Sequence, residues 1–102
     1  MAHKVKVGLK NGVPYADPDR CKICSSCEIV WVAADGVTSF AVQFAGKDQP
    51  FPGTNYSGRP GMPAWSGACK DRPQPGKTNS FKYTLTVNGS TIDPSVDVEG
   101  GP

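Results

Sequence analysis

Four cysteines are the residues of this chain whose type and spacing most directly suggest chemistry. Cys21, Cys24 and Cys27 form a C-x-x-C-x-x-C run, and Cys69 follows alone, much further along the chain. Thiolates at C-x-x-C spacing bind zinc or iron–sulfur clusters, and pairs of thiols form disulfides. Four cysteines allow three disulfide connectivities, which the sequence by itself leaves undecided.

Several interpretations of the four cysteines therefore stay open. In one, a local Cys24–Cys27 disulfide is joined by a Cys21–Cys69 disulfide that ties a long loop to the sheet, as suits a small domain. In others, all four cysteines bind zinc or an iron–sulfur cluster. In a further interpretation, the four cysteines remain free thiols, which is the state that a reducing compartment favours.

The local pair has a simple geometry if Ser25 and Ser26 form a hairpin tip. Cys24 and Cys27 would then face each other with Cα atoms about 4.5–5.5 Å apart, within the range that a disulfide accepts. Cys21 would share the core face with Ile23 and act as a small buried hydrophobe. A thiol redox protein using Cys24 and Cys27 is a weaker hypothesis, because a catalytic C-x-x-C normally opens a helix, and the sequence predicts a strand there.

The rest of the chain offers little for catalysis. His3 is the single histidine and lies near the N-terminus, so a histidine-dependent triad is not supported. Most of the nine acidic residues lie at turns or strand ends. We therefore predict no catalytic residues, a non-enzymatic protein, and no cofactor unless the cysteines bind zinc or an iron–sulfur cluster.

Alternation of apolar and polar residues shows which elements must hold these side chains. Val5, Val7 and Leu9 alternate with lysines, and the segments 40–44 and 81–87 show the same period of two, which is typical of half-buried strands. Sustained helical spacing is absent from the sequence. The predicted strands span 4–10, 20–24, 27–34, 37–45, 80–88 and 90–99.

Turn residues support this assignment. Asn11-Gly12, Asp35-Gly36 and Asn88-Gly89 lie between apolar runs, and such dipeptides favour tight hairpins. Pro94 interrupts the last run and cannot donate to a ladder, so the last strand lies at an edge or begins after Pro94. We predict a single all-β sandwich domain of about six to eight strands over residues 1–102. Its predicted core is Val7, Leu9, Ile29, Trp31, Phe40, Val42, Phe44, Tyr83, Leu85 and Val87.

The segment 46–79 differs from the rest of the chain. Residues 46–76 include 12 glycines and prolines, and a loop of this length in a compact domain is often functional. Its aromatic residues Phe51, Tyr56 and Trp65 suggest two alternatives. In one, Phe51 and Trp65 fold back as a lid over the open end of the sandwich. In the other, the three aromatic residues form a binding loop for a protein or a small ligand.

Composition limits the partners and the compartment. The net charge of +2 is too small for a typical nucleic-acid-binding domain, and the apolar runs are too short for a membrane span. The N-terminus lacks the apolar segment of a secretory signal. We expect a monomer, cytoplasmic as the sequence stands or extracytoplasmic if a signal has been removed.

The order of these segments resembles the small bacterial cupredoxin-like β-sandwiches over most of the chain. An alternating first strand is followed by Val30-Trp31, then by 40–44, a long loop, 81–87 and a last strand near 93–98. The resemblance implies a Greek-key sandwich of cupredoxin-like or immunoglobulin-like type. Copper-binding members carry two His and one Cys, and one His and the Cys follow the strand that matches 81–87. This chain has neither residue there, so the resemblance implies no type 1 copper.

Overall fold

The computed structural model describes residues 2–45 and 49–101, which form ten β-strands. The strands are β1 (Ala2–Lys10), β2 (Val13–Asp17), β3 (Arg20–Cys24), β4 (Glu28–Ala33), β5 (Phe40–Phe44), β6 (Asn55–Gly58), β7 (Ala64–Trp65), β8 (Thr78–Val87), β9 (Ser90–Ile92) and β10 (Ser95–Glu99). The described part of the chain contains no helix, and hence none long and apolar enough to cross a membrane. This is an all-β sandwich, as the alternation predicts.

Two mixed sheets pack face to face. The first has the strand order β2-β1-β4-β7, and the second has the order β3-β10-β8-β5-β6 with β9 paired to β8. Within them, β1 runs parallel to β4 and β3 runs parallel to β10. Consecutive strands β3 and β4 therefore belong to different sheets, and so do β4 and β5.

Ten strands exceed the predicted six to eight for identifiable reasons. Strands β2, β6 and β7 lie in stretches rich in Pro, Gly or Asn and form only because neighbouring strands offer them partners. The predicted strand 90–99 is split at Pro94, and β10 begins directly after it. Because Pro94 lies outside β10, every residue of β10 has an amide that can donate to a neighbouring strand. The strand therefore occupies a central position between β3 and β8.

The predicted hairpin turns form at two of the three sites. Asn11-Gly12 joins β1 to β2 and Asn88-Gly89 joins β8 to β9, with positive φ at all four residues, as a type I′ turn requires. The prediction of a hairpin at Asp35-Gly36 is wrong. Gly36 does adopt a φ of +89°, but the turn carries the chain from β4 in one sheet to β5 in the other.

The core lies between the two sheets. Nine of the ten predicted core residues are buried there, and Leu9 packs at its margin. Five aromatic rings form the centre of the core, which we call the aromatic cluster: Trp31, Phe44, Phe51, Tyr56 and Tyr83. Its ring centroids are 5.2–6.5 Å apart, in mostly tilted or edge-to-face geometry, which aromatic pairs favour.

Candidate functional site

The structure separates the three aromatic residues predicted for a binding loop. Phe51 is fully buried in the aromatic cluster, so it is a core residue and is unavailable to a ligand. Tyr56 is partly buried, stacks on Trp31 at a centroid distance of 5.7 Å, and its hydroxyl donates to the Gly53 carbonyl. Trp65 remains 54% exposed on β7, so it does not close over the core. Phe51 thus belongs to the core, while Trp65 lies on the surface, and the lid and binding-loop interpretations stay predictions.

The four cysteines divide into one disulfide and two buried thiols. Cys24 and Cys27 are bonded, with Cα atoms 5.2 Å apart, and the Cys27 amide donates to the Cys24 carbonyl at 3.2 Å. The predicted pairing is confirmed, but the predicted hairpin is not, because β3 pairs with β10 and β4 pairs with β1. The bridge closes the turn that passes from one sheet to the other.

The predicted Cys21–Cys69 disulfide is not formed. Both residues are free thiols and both are buried. Cys21 faces the core beside Ile23, as alternation along β3 predicts. Its pKa is raised mainly by burial and also by the nearby Asp97 carboxylate. Burial also raises the pKa of Cys69. These two residues therefore pack as small apolar groups and stay protonated at neutral pH.

The four-thiolate metal site is not assembled either. Among residues 2–45 and 49–101, no three His, Cys, Asp or Glu side chains group closely enough to hold a metal ion. Cys69 does approach the turn, since its amide donates to the Cys27 carbonyl at 2.7 Å. Cys24 and Cys27, however, are joined to each other, and a disulfide sulfur is not a thiolate ligand.

The bridge that forms stabilises the fold less than the missing one would have done. In the chain-entropy description, a disulfide that closes a turn of about four residues contributes roughly 2 kcal/mol. One that linked Cys21 to Cys69 would close a loop of about 50 residues and contribute roughly 4 kcal/mol. The local bridge therefore contributes about half of what a Cys21–Cys69 bridge would contribute.

A short hairpin from the long segment forms one wall of a surface groove. The amides and carbonyls of Arg59 and Met62 bond to each other at 3.1 and 2.9 Å, and Pro60-Gly61 forms the tip. Proline followed by a glycine at a φ of +81° is the pair that a type II turn favours. The tight turn holds the Arg59 and Met62 side chains beside β5 and β6.

The groove, which we call the Arg59 groove, lies where β5, β6 and β8 meet this hairpin and has a volume of about 520 Å³. Its lining residues are Ser39, Phe40, Ala41, Ser57, Gly58, Arg59, Met62, Thr86, Asn88 and Gly89. Ala41 is paired with Ser57 on one side and Thr86 on the other, so a row of small side chains leaves the space open. A smaller pocket of about 200 Å³ shares Ala41, Ser57 and Thr86 with it and is also lined by Gln43, Asn55 and Thr84.

Two contacts hold the walls of the Arg59 groove in place. The Asn88 side chain accepts from the amide and hydroxyl of Thr38 and donates to the Gly36 carbonyl, which fixes the β8–β9 turn. At Gly58, an added Cβ would approach the Phe40 ring to 2.5 Å and the Met62 carbonyl to 2.8 Å. Glycine is therefore required there for the hairpin to fold against β5.

The electrostatics of the Arg59 groove are one-sided. Arg59 Nε donates to Met62 Sδ at 3.2 Å, and no hydrogen bond occupies its terminal nitrogens within the described residues. The ion pair found among the described residues lies outside the groove and joins Arg20 to Asp97 at 3.5 Å. No acidic residue is among the described residues that line the groove. The guanidinium group is thus available to a negatively charged group.

Sequence patterns alone do not identify five of the groove residues, which are Arg59, Met62, Ala41, Ser57 and Thr86. One local signal is present in this segment, namely Pro60-Gly61, because a Pro-Gly pair favours a tight turn. The other side chains come from three strands that meet only in the folded sheet. No local sequence pattern therefore predicts that these side chains lie close together.

Tyr83 gives a prediction for alkaline pH. Burial raises the pKa of Tyr83 to about 12. The hydrogen bond that Trp31 Nε1 donates to the Tyr83 hydroxyl lowers this pKa and so offsets part of the effect of burial. Above the ordinary tyrosine pKa of about 10, the unfolded chain loses this proton and the folded chain keeps it, so stability falls with rising pH. We expect a loss of roughly 2–3 kcal/mol between pH 10 and pH 12.

Urea unfolding at a series of alkaline pH values measures this loss. Tyr83→Phe is expected to be less stable at pH 8, since Trp31 Nε1 loses its acceptor, but to show a shallower decline with pH. An equally steep decline in Tyr83→Phe would assign the pH dependence to other groups.

Comparison of the chain with models of known protein families and with curated proteins gives no match.

Proposed function

We propose that this protein is a non-enzymatic β-sandwich module that binds a small organic anion in the Arg59 groove. The observation that carries the proposal is a guanidinium group without an acidic partner in the described residues, at the rim of a groove of about 520 Å³. One wall belongs to the 46–79 segment, so the binding-loop interpretation is retained with different residues.

Charge supports an anion as the ligand. A guanidinium group binds carboxylate or phosphate oxygens through two parallel hydrogen bonds. Within residues 2–45 and 49–101, the hydrogen bond of the Arg59 side chain uses Nε and leaves the terminal nitrogens for such a ligand. Among the residues that the structure describes, no acidic side chain lines the groove, so the described lining does not repel a negative charge.

The remaining lining supports an apolar body on that anion. Phe40, Ala41 and Met62 supply apolar surface, and Ser57 and Thr86 supply hydroxyl groups at the sides. Ligand sites are commonly concave and mainly apolar, with a few polar groups that fix orientation. An aromatic or branched aliphatic carboxylate matches this pattern.

An NMR titration of the isotopically labelled chain with benzoate tests the proposal, with benzamide as the uncharged control. Benzoate is expected to shift the amide signals of Ala41, Ser57, Arg59 and Thr86, and benzamide is expected to shift them much less. Benzoate shifts spread over the whole surface, or equal affinity for benzamide, would contradict the role of Arg59.

Two substitutions separate the charge from the shape of the groove. Arg59→Gln is expected to weaken benzoate binding about tenfold or more, since hydrogen bonds to a charged group contribute roughly 1.5–3 kcal/mol. Ala41→Ile is expected to block the groove while leaving the fold intact. Thr78→Ile, at the exposed start of β8 and paired with Glu99, lies outside the groove lining. It is the matched control and is expected to bind normally.

We also retain as a proposal the relationship to cupredoxin-like sandwiches without copper. The two-sheet sandwich supports it, and so does β8, whose sequence contains neither Cys nor His.

A further inference from the structure

A second groove exposes the Cys24–Cys27 disulfide to solvent among ionisable side chains. It has a volume of about 430 Å³ and is lined by the disulfide together with His3, Lys22 and Glu99. Glu99 is the partner of Cys24 across β10 and β3, and His3 on β1 is the partner of Ile29 on β4, close to Cys27. Three chain segments, namely residue 3, residues 22–27 and residues 99–101, thus meet around this bond. We call the space between them the disulfide groove.

We propose that the disulfide groove is a thiol–disulfide exchange site at which a low-molecular-weight thiol reduces the Cys24–Cys27 bond. The proposal is independent of the Arg59 groove, because the two grooves share no lining residue. It adds a chemical step to a protein otherwise proposed to bind without reacting.

Burial selects the sulfur that is attacked. Cys27 is only 2% exposed, whereas Cys24 is exposed at the end of β3. The incoming thiolate therefore attacks Cys24 Sγ and forms a mixed disulfide with it. The Cys24–Cys27 bond breaks, its electron pair stays on Cys27 Sγ, and that thiolate takes a proton from water.

A second thiol completes the reaction. Its thiolate attacks the sulfur of the small thiol in the mixed disulfide and releases Cys24 as a thiolate, which is then protonated. Two small thiols have been oxidised to one disulfide, and the protein disulfide has been reduced to two thiols.

The charged residues of the disulfide groove affect the rate of this exchange. No helix N-terminus stabilises a thiolate here, since the described chain has no helix. Lys22 supplies the positive charge that attracts the incoming thiolate, in the way that neighbouring cations activate thiols. Glu99 opposes it from the paired strand, so exchange should be slow compared with that at a helix-capping C-x-x-C.

Cys69 is not the attacking thiol in this scheme. It is 1% exposed, and its burial raises its pKa, which keeps it protonated. Its amide holds the Cys27 carbonyl at 2.7 Å, so the backbone of the turn stays attached to the neighbouring segment when the disulfide opens.

The test is incubation of the oxidised full chain with reduced glutathione, acid quenching at intervals, and peptide mass mapping. The expected result is a transient glutathione adduct on Cys24, followed by the dithiol form. Cys69→Ala is expected to react at the rate of the unsubstituted chain. An adduct on Cys27 or Cys69, or reaction only after denaturation, would overturn the proposal.

Lys22→Gln tests the part played by the groove itself. At low ionic strength it is expected to slow formation of the adduct by about 1.5- to 5-fold, the range for one exposed charge. Lys10→Gln is the matched control, since Lys10 ends β1 beside the Asn11-Gly12 turn and is not part of the groove lining. Equal rates for the two variants would refute the role of Lys22 and the exchange site built on it.

Discussion

Replacing Trp31 with alanine is expected to lower the free energy of unfolding by about 3–5 kcal/mol. Trp31 has no exposed surface and contacts all four other rings of the aromatic cluster, at centroid distances of 5.7–6.4 Å. Its indole N–H donates to the Tyr83 hydroxyl at 3.2 Å, so truncation leaves a large cavity and a buried hydroxyl without its donor. Because a domain of this size has only about 5–15 kcal/mol of stability, the variant is expected to lose a large fraction of it.

Urea unfolding followed by far-ultraviolet circular dichroism measures this change. Trp65→Ala is the matched control, because the same side chain is removed from a position that is 54% exposed. The control is expected to change stability by about 0.5 kcal/mol or less. Similar losses in both variants would mean that Trp31 is not at the centre of the core.

Truncating Phe51 to alanine is the second large expected effect, again about 3–5 kcal/mol. Phe51 lies in the segment that the sequence marks as a loop, yet it is fully buried and packs edge-to-face on Phe44 at 5.7 Å and on Trp31 at 6.4 Å. The side chain therefore anchors the segment to the core. Its removal is expected to destabilise the whole domain and to release the segment locally at a lower cost.

Two measurements distinguish these effects. Chemical denaturation gives the global loss, and limited proteolysis under native conditions is expected to cleave Phe51→Ala within 49–79 before the rest of the chain. Met62→Ala, at a position that is 55% exposed in the same segment, is expected to resemble the unsubstituted protein in both. If Phe51→Ala were as stable and as resistant as Met62→Ala, the segment would have to be held by other contacts.

Local sequence predicts most of the sheet framework, for a physical reason. Alternation along 81–87 places Tyr83, Leu85 and Val87 on one face, and the structure buries these three, because side chains of a strand point to opposite sides in turn. The Asn11-Gly12 and Asn88-Gly89 turns form because their residues tolerate positive φ. Strands β6 and β7 are not predictable in this way, since their short polar or mixed sequences are ordered by pairing with β5 and β4.

The cysteines show where local reasoning ends. A tight turn at Ser25-Ser26 brings Cys24 and Cys27 within disulfide range, so this pairing is a local possibility that the structure confirms. The same spacing separates Cys21 from Cys24, so spacing alone did not select the pair. Whether Cys21 meets Cys69 depends on where two distant segments come to rest, and the fold buries both as thiols. The predicted long-range bridge therefore had no local basis.

The all-β class, the alternating strands and two of the hairpins follow from local sequence, since each depends on neighbouring residues and on backbone geometry. The positions of the grooves and the side chains that line them depend on how the strands are ordered and packed. The Arg59 groove joins residues 39–41, 57–62 and 86–89, and the disulfide groove joins His3 and Lys22 to Glu99. Such sites form through strand order and sheet packing, which arise from the summed burial of the whole core rather than from any one segment.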